Sequence, residues 1–383
     1  MTPLKILIAP DSFKESLSAS EVAENIQKGI VSAIPSASII MVPMADGGEG
    51  TVQSLVHSTG GKIIQTQVHD PLMREIPSFF GILGDGQTAV IEMAAASGIE
   101  LISADERNPL KTTSYGTGEL IKSAMDTGAR KLIIGIGGSA TNDGGTGMLQ
   151  ALGMKLIDNN GFEINPGGGS LEKLTDIDIT NIDKRLKTTK IIVASDVNNP
   201  LFGENGASSV FGPQKGASPE MVKKLDYNLS HFARISEVFL KKEFHSIPGA
   251  GAAGGLGFGL IAWLNAEIKP GFEIIAKQAN LEEKIKKSDL VITGEGKIDA
   301  QSKYGKTPYG VAKLAKKYNV PVLAFAGIVD DEAREIYHNL FQMIIPIAEK
   351  TINLEESKKN AAPLLQKAAN NAIKQYLFKS KEL

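Results

Sequence analysis

Short apolar runs rich in β-branched residues alternate along this chain with longer stretches whose apolar residues recur at helical spacing. Residues 4–9 read as a strand, because Ile6, Leu7, Ile8 and Ala9 form one apolar run. Residues 19–34 read as a helix, with Val22, Ile26, Ile30, Ala33 and Ile34 on one face. Ser18 or Ser20 suits its N-cap, Glu21 its first turn, and Pro35 stops it. A strand over 38–44 and a helix over 51–57, closed by Gly60-Gly61, follow. The last third has the same rhythm. Strands are expected over 290–293, 320–326 and 343–347. Helices are expected over 309–318, with Pro308 in the first turn, over 331–339 and over 354–376. Two strands at the start and three at the end fit one doubly wound α/β sheet.

The middle of the chain has a different pattern. Residues 62–68, 76–83 and 88–93 alternate as strands do, and Asp85-Gly86 is a hairpin signal between the last two. Further strands are expected over 131–136 and 190–194, and helices over 118–127, 146–152 and 219–242. The Gly/Ala tract at 249–259 leads straight into apolar 260–264, so it reads as a tight loop with close helix packing and not as a linker. The simplest organisation is an α/β domain over 62–275 inserted into a discontinuous one made of 1–61 and 276–383. A chain of 383 residues is long enough for two or three domains of the usual ~100–200 residues.

Composition narrows the function classes. Lys and Arg total 41 against 43 Asp and Glu, which excludes nucleic-acid binding by bulk positive charge. The absence of Cys excludes disulfides, a thiol nucleophile and Cys-held metals. The five histidines show no i, i+4 pair, which argues against a histidine metal site. No apolar run reaches the ~18 residues of a membrane span. The first apolar run is too short for a signal peptide and meets Asp11 and Lys14 at once, so a cytoplasmic protein without a membrane partner is expected.

Candidate chemistry collects where strands end, the place where open α/β sheets bind ligands. Asp11, Ser12 and Lys14 follow the first strand, and Asp46-Gly47-Gly48-Glu49-Gly50 follows the second. Asp46 and Glu49 suit a metal or substrate hydroxyls, or simply complement a helix N-terminus. In the run from Gly135 to Gly145, glycines and the Ser139 and Thr141 hydroxyls suit phosphate oxygens, and Asp143 suits Mg²⁺. A Gly-rich turn before a helix explains the same run equally well. After the 190–194 strand, Asp196 suits a general base and Asn198 stands beside it, although an Asx-turn before Pro200 competes. After the 290–293 strand come Gly294-Glu295-Gly296, Asp299, Lys303 and Lys306. Gly305-Lys306-Thr307 is not a P-loop, since Ala300 stands where its first glycine belongs. No dinucleotide fingerprint and no Gly-x-Ser-x-Gly elbow occurs. Carboxylates, lysines and phosphate loops without Cys or clustered His suit phosphoryl transfer.

The runs at 9–19, 43–51, 134–149, 195–207, 211–217 and 293–312 together resemble the bacterial glycerate kinase family, in order and essentially end to end. The resemblance implies ATP- and Mg²⁺-dependent phosphorylation of D-glycerate, at the 2-hydroxyl or alternatively at the 3-hydroxyl. It implies a flavodoxin-like domain with a restriction-endonuclease-like α/β domain inserted, acting as a monomer or homodimer. Under it, Asp196, then Asp46, are candidates for the base, and Lys14 completes the catalytic set. Asp11, Ser12, Lys14, Arg74 and Asn198 are candidates for substrate, with Lys14 and the Ser12 hydroxyl first for its carboxylate and Arg74 second, since a guanidinium fits a carboxylate bidentately but a loop charge explains Arg74 as well. Gly137, Gly138, Ser139, Thr141, Lys303 and Lys306 are candidates for the nucleotide phosphates, and Glu295, Asp299 and Asp143 for the metal. A competing non-enzymatic reading is a small-ligand sensor, which lacks support because no DNA-binding module or secretion signal is legible.

Overall fold

The computed structural model describes residues 3–300, 306–348 and 354–379. The chain divides into two compact units. The first holds Met1–Asp46, Gln53–Thr59 and Phe272–Leu383, and the second holds Gly47–Val52 and Gly60–Gly271. In chain order the strands are β1 (Lys5–Ile8), β2 (Ser38–Met41), β3 (Lys62–His69), β4 (Glu75–Ile82), β5 (Thr88–Glu92), β6 (Lys131–Gly135) and β7 (Lys155–Ile157). They continue as β8 (Asp176–Asp178), β9 (Lys190–Ala194), β10 (Glu267–Lys269), β11 (Leu290–Ile298), β12 (Val322–Val329) and β13 (Met343–Pro346).

The sheet of the first unit runs β13-β12-β11-β1-β2, and every pairing is parallel. β1 is flanked by β2 on one side and by β11 on the other, so chain order reverses between β1 and β11. Loops beyond the carboxyl ends at such a switch point diverge and leave room for a ligand. The helix Ala19–Ala33 forms as its spacing predicts: Val22, Ile26 and Ile30 are buried, and Ser18 and Glu21 close a capping box. It packs on the helix Ala361–Lys379 so closely that a Cβ on Gly29 would lie 2.4 Å from the Gln366 carbonyl oxygen. Ile6, Ile8, Leu323, Phe325, Leu365 and Ile373 complete that core.

The second unit is built on a mixed sheet ordered β10-β9-β6-β5-β4-β3. β5, β6, β9 and β10 are parallel, and β3-β4-β5 antiparallel. The hairpin between β4 and β5 forms at Asp85-Gly86, with Gly86 at φ +69° and the Asp85 carboxylate accepting from the Gln87 and Thr88 amides. The Gly/Ala tract, expected as a tight loop over 249–259, is a tight turn only in its first part: Ala252–Gly255 forms a 3-10 turn and the helix Leu256–Leu264 begins inside the tract. A Cβ on Gly254, at φ +67°, would stand 1.9 Å from the Thr141 carbonyl oxygen. No side chain other than hydrogen fits there.

Two expected elements differ. The helix expected over 354–376 is two, Leu354–Lys359 and Ala361–Lys379. Pro363 has no N–H for the Lys359 carbonyl, and a restart after Asn360 places it in a first turn, where that bond is not needed. The strand expected to end at Thr293 continues as β11 through Gly294-Glu295-Gly296 to Ile298. Its pairing with β12 persists from Gly294↔Phe325 to Ile298↔Val329. A Cβ on Gly294 would lie 2.6 Å from the Phe325 carbonyl oxygen, so Gly294 serves close strand pairing.

Candidate active site

In the first unit a cavity of about 340 Å³ lies at the ends of β1 and β11. Asp11, Ser12, Lys14, Asp46, Glu295 and Lys306 line it, and Phe13, Ile328 and Ile347 supply apolar wall. The loop after β1 is fixed to β11 by main-chain bonds: Ala9 N–H donates to the Ile292 oxygen (2.7 Å) and Asp11 N–H to the Gly294 oxygen (2.8 Å). The Thr293 hydroxyl adds a bond to the Ala9 carbonyl. The Asp11 carboxylate accepts from its neighbour Ser12 N–H (2.7 Å) and from the Thr307 hydroxyl (2.6 Å). Burial, then the like charge of Asp46, pushes the Asp11 carboxyl up to about 6, against the pull of Thr307, Ser12 and Lys14. A pair of carboxylates in one cavity, one of them near neutrality, is the electrostatic pattern of acid–base sites.

Lys306 Nζ stands 3.6 Å from a Glu295 oxygen and 3.7 Å from an Asp299 oxygen. These hard oxygens gather around a cation and suit Mg²⁺, which is usually held by one or two carboxylates together with substrate phosphates. Among the described residues no group of three or more His, Asp and Glu forms a metal site by itself. Lys14 is exposed at the cavity. Lys303 lies outside the described residues.

The second unit brings three strand-end segments together. A Cβ on Gly135 would lie 2.3 Å from the Gly47 carbonyl oxygen, and one on Gly47 would lie 2.8 Å from Ala194 Cβ. Gly47 therefore has to be glycine to fit between the ends of β6 and β9, whereas a Cβ on Gly50 would meet nothing within 4 Å. The helix Thr51–Thr59 that follows is anchored by Glu92, whose carboxylate accepts from the amides of Gly50, Thr51 and Val52. Burial and the charge of Glu49 nevertheless push the Glu92 carboxyl up to about 7.

Beyond β6, Gly137, Gly138 and Ser139 border a second cavity of about 420 Å³, together with Arg107, Gln214 and Lys215. Gly138 takes φ +75°. Lys215 is 2% exposed and donates to Ser139 Oγ (2.6 Å) and to the Thr141 carbonyl oxygen (2.7 Å). Burial pulls its ammonium down to about 7, although the charge of Asp143 opposes this. Thr141 is buried, and its hydroxyl has no hydrogen-bond partner among the described residues.

Two of the expected site residues have their charged groups engaged by protein partners. Asp143 does not face either cavity; it is fully buried and accepts from the Ser114, Gly145 and Gly147 amides and from the Thr113 and Ser114 hydroxyls. Its oxygens are engaged in holding the Gly-rich loop, so it is not the open carboxylate a metal needs. The guanidinium of Arg74 is occupied by Asp70 (2.5 Å) and Glu106 (2.7 Å) and closes a turn instead of offering a fork to a carboxylate. Asp196 and Asn198 are exposed after β9, and the Gly271 N–H donates to Asp196 Oδ1 at 3.3 Å. Glu92, Lys215 and Thr307 are features that motif reading missed. Glu92 had a signal, a carboxylate closing an apolar strand. The burial of Lys215 and the approach of Thr307 to Asp11, 296 positions away, have none in the sequence.

A family model described as the glycerate kinase family matches residues 6–377. A glycerate kinase of Bacillus subtilis is 53% identical over 368 residues, covering 96% of each chain. A glycerate 2-kinase of Escherichia coli is also 53% identical, covering 96% of this chain and 97% of its own. A crystal structure of a candidate glycerate kinase 2 from Salmonella typhimurium superposes with a TM-score of 0.89 at 47% identity, over 100% of both chains. That structure shares the mixed α/β fold with parallel strands.

Proposed function

Because the chain belongs to the glycerate kinase family, we propose that it transfers the γ-phosphoryl group of ATP to the 2-hydroxyl of D-glycerate, giving 2-phosphoglycerate and ADP. The 53% identity to a relative named glycerate 2-kinase supports the 2-hydroxyl over the 3-hydroxyl. The observation within the site that carries the reading is the Asp11–Asp46 pair in a cavity that also holds Lys14 and Lys306.

Phosphoryl transfer needs positioning and charge neutralisation more than covalent help. Asp46 accepts the proton of the substrate hydroxyl as its oxygen attacks phosphorus and the bond to the β-phosphate oxygen breaks. Asp196, the base favoured from the sequence, is exposed after β9 and lines neither of the two cavities, so in this proposal it stands second to Asp46. Ser12 and Lys14 hold the substrate carboxylate, and Asp11 orients its hydroxyls. Gly137, Gly138 and Ser139 offer N–H and O–H groups to nucleotide phosphates, the buried Thr141 supports their loop by taking Lys215 on its carbonyl, and Lys306 offsets transferred charge. Glu295 and Asp299 would hold Mg²⁺, whose chemistry there is neutralisation of phosphate charge. We read the first unit as a flavodoxin-like domain and the segment 62–275 as the insertion. The order β2-β1-β11-β12-β13 supports the former, being 2-1-3-4-5 when counted within the unit. No helix among the described residues is long and apolar enough to cross a membrane. The sensor reading finds no support in relatives named as kinases along almost the whole chain.

The test couples the protein, D-glycerate and MgATP to enolase without phosphoglycerate mutase. Phosphoenolpyruvate formation that depends on D-glycerate is expected. ADP release with no phosphoenolpyruvate would move the reaction to the 3-hydroxyl, and no ADP release would refute the kinase.

A further inference from the structure

We propose that Arg107 and Lys215 form the cationic half of an anion subsite in the second unit, taking a phosphate group of the nucleotide or the carboxylate of the hydroxy acid. That choice of ligands rests on the function proposed above; the subsite itself rests on the geometry.

The cavity of about 420 Å³ beyond β6 is bordered by two cationic side chains, Arg107 and Lys215, and by one acid, the exposed Glu100. Arg107 makes no side-chain hydrogen bond or ion pair among the described residues, and its Nε is buried without a partner. A buried donor of a charged group left unmade is costly, and an anion in the cavity would satisfy it. Lys215 is fixed by two neutral oxygens, Ser139 Oγ and the Thr141 carbonyl. The nearby carboxylate of Asp143 is already engaged by five donors, the Gly145 and Gly147 amides of its own loop and the Thr113 hydroxyl, Ser114 amide and Ser114 hydroxyl. The two cations are built to stand together. Gly216, at φ +89°, follows Lys215, and a Cβ there would lie 2.5 Å from the Arg107 carbonyl oxygen. Gly137 and Gly138, with Gly138 at φ +75°, border the same space and leave its floor free of side chains. Planar donors, a fixed ammonium and an uncovered backbone are what an oxyanion group needs.

The test uses the full chain with Arg107→Gln and Lys215→Met. Calorimetric titration with inorganic tripolyphosphate, and separately with D-glycerate, reads the subsite without turnover. KM for ATP and for D-glycerate reads it during turnover. Each substitution is expected to weaken one of the two ligands about tenfold or more, the loss of a charge-assisted hydrogen bond, and to leave the other within about twofold. Arg107→Lys should recover part of the loss. Weaker tripolyphosphate with a raised KM for ATP supports the subsite as a phosphate site; weaker D-glycerate with a raised KM for D-glycerate supports it as a carboxylate site. If Lys215→Met fails to fold, the half-buried Arg107 still decides. Folded Arg107→Gln that binds both ligands as the parent does overturns the proposal, as does a parent that binds neither. If the parent binds tripolyphosphate through Arg107 yet never phosphorylates D-glycerate, the subsite stands and the proposed function falls.

Discussion

Carboxylates at the strand ends of the first unit and those of the second do different work, although their sequence settings look alike. Asp11 and Asp46 border a cavity, and burial with mutual repulsion lifts the Asp11 carboxyl to about 6. Asp143 and Glu92 sit among backbone N–H groups and hold a Gly-rich loop and a helix start in place. The cations are reversed in the same way. Lys306 of the first unit has Glu295 and Asp299 beside it, whereas Arg107 of the second has no carboxylate partner. The residue type is therefore a poor guide to role. What decides is whether the charged oxygens meet open space or a ring of donors.

The largest expected effect would break that contrast if it failed. Asp46→Asn should lower kcat by about 10²–10⁴, the usual worth of a general base, with the fold intact by circular dichroism. Asp143→Asn should act on stability instead, costing roughly 2–4 kcal/mol in urea unfolding as buried donors lose their charged acceptor. A stable Asp143→Asn protein with collapsed kcat would return that residue to the chemistry. An active Asp46→Asn beside an inactive Asp196→Asn would move the base to the second unit.

Steric crowding separates two glycines that share a left-handed backbone. Gly254→Ala should cost about 3 kcal/mol or more, because its Cβ meets the Thr141 carbonyl oxygen at 1.9 Å as well as a left-handed backbone. Gly86→Ala, at φ +69° with nothing within 4 Å, should cost only about 1–2 kcal/mol. Equal costs would mean that the tract at 249–259 relaxes as a loop does.

Glu92 sharpens the comparison through pH. Its carboxyl rises from 4.5 to about 7 on folding, so between those values the folded state holds the extra proton. Its contribution to stability is thus greatest below pH 4.5 and is lost as pH rises through about 7, a change of about 3 kcal/mol. Glu92→Gln should remove that slope from urea midpoints taken between pH 5 and 8. The smallest effect concerns Asp11. Activity should fall as pH drops below about 6 and the carboxylate pair takes up a proton. Thr307→Val removes a hydrogen bond that favours the ionised form and should move this limb to higher pH. A limb that moves to lower pH would contradict the cause assigned to it.

The fold was legible where packing follows a period. The helix Ala19–Ala33 arises where apolar spacing places it because one face is buried, and β1, β6 and β9 arise where short apolar runs lie because nearly every residue of each is buried. The extension of β11 through Gly294-Glu295-Gly296 was not legible, because glycine signals a turn unless a neighbouring strand comes too close for any side chain. In the site, Asp11, Asp46, Lys14, Glu295 and Lys306 could be singled out by their place after strands, and they line one cavity. The partners of Arg74 and Asp143, Asp70 with Glu106 and the amides of residues 114, 145 and 147, were not legible because they depend on how the chain folds back. Lys215 escaped for the same reason: nothing local distinguishes a buried lysine from an exposed one.

The most direct test of the account is ³¹P NMR of the protein with D-glycerate, ATP and Mg²⁺. A 2-phosphoglycerate resonance growing with ADP is the predicted result. Intact ATP and no phosphoglycerate, with the protein folded, would contradict it.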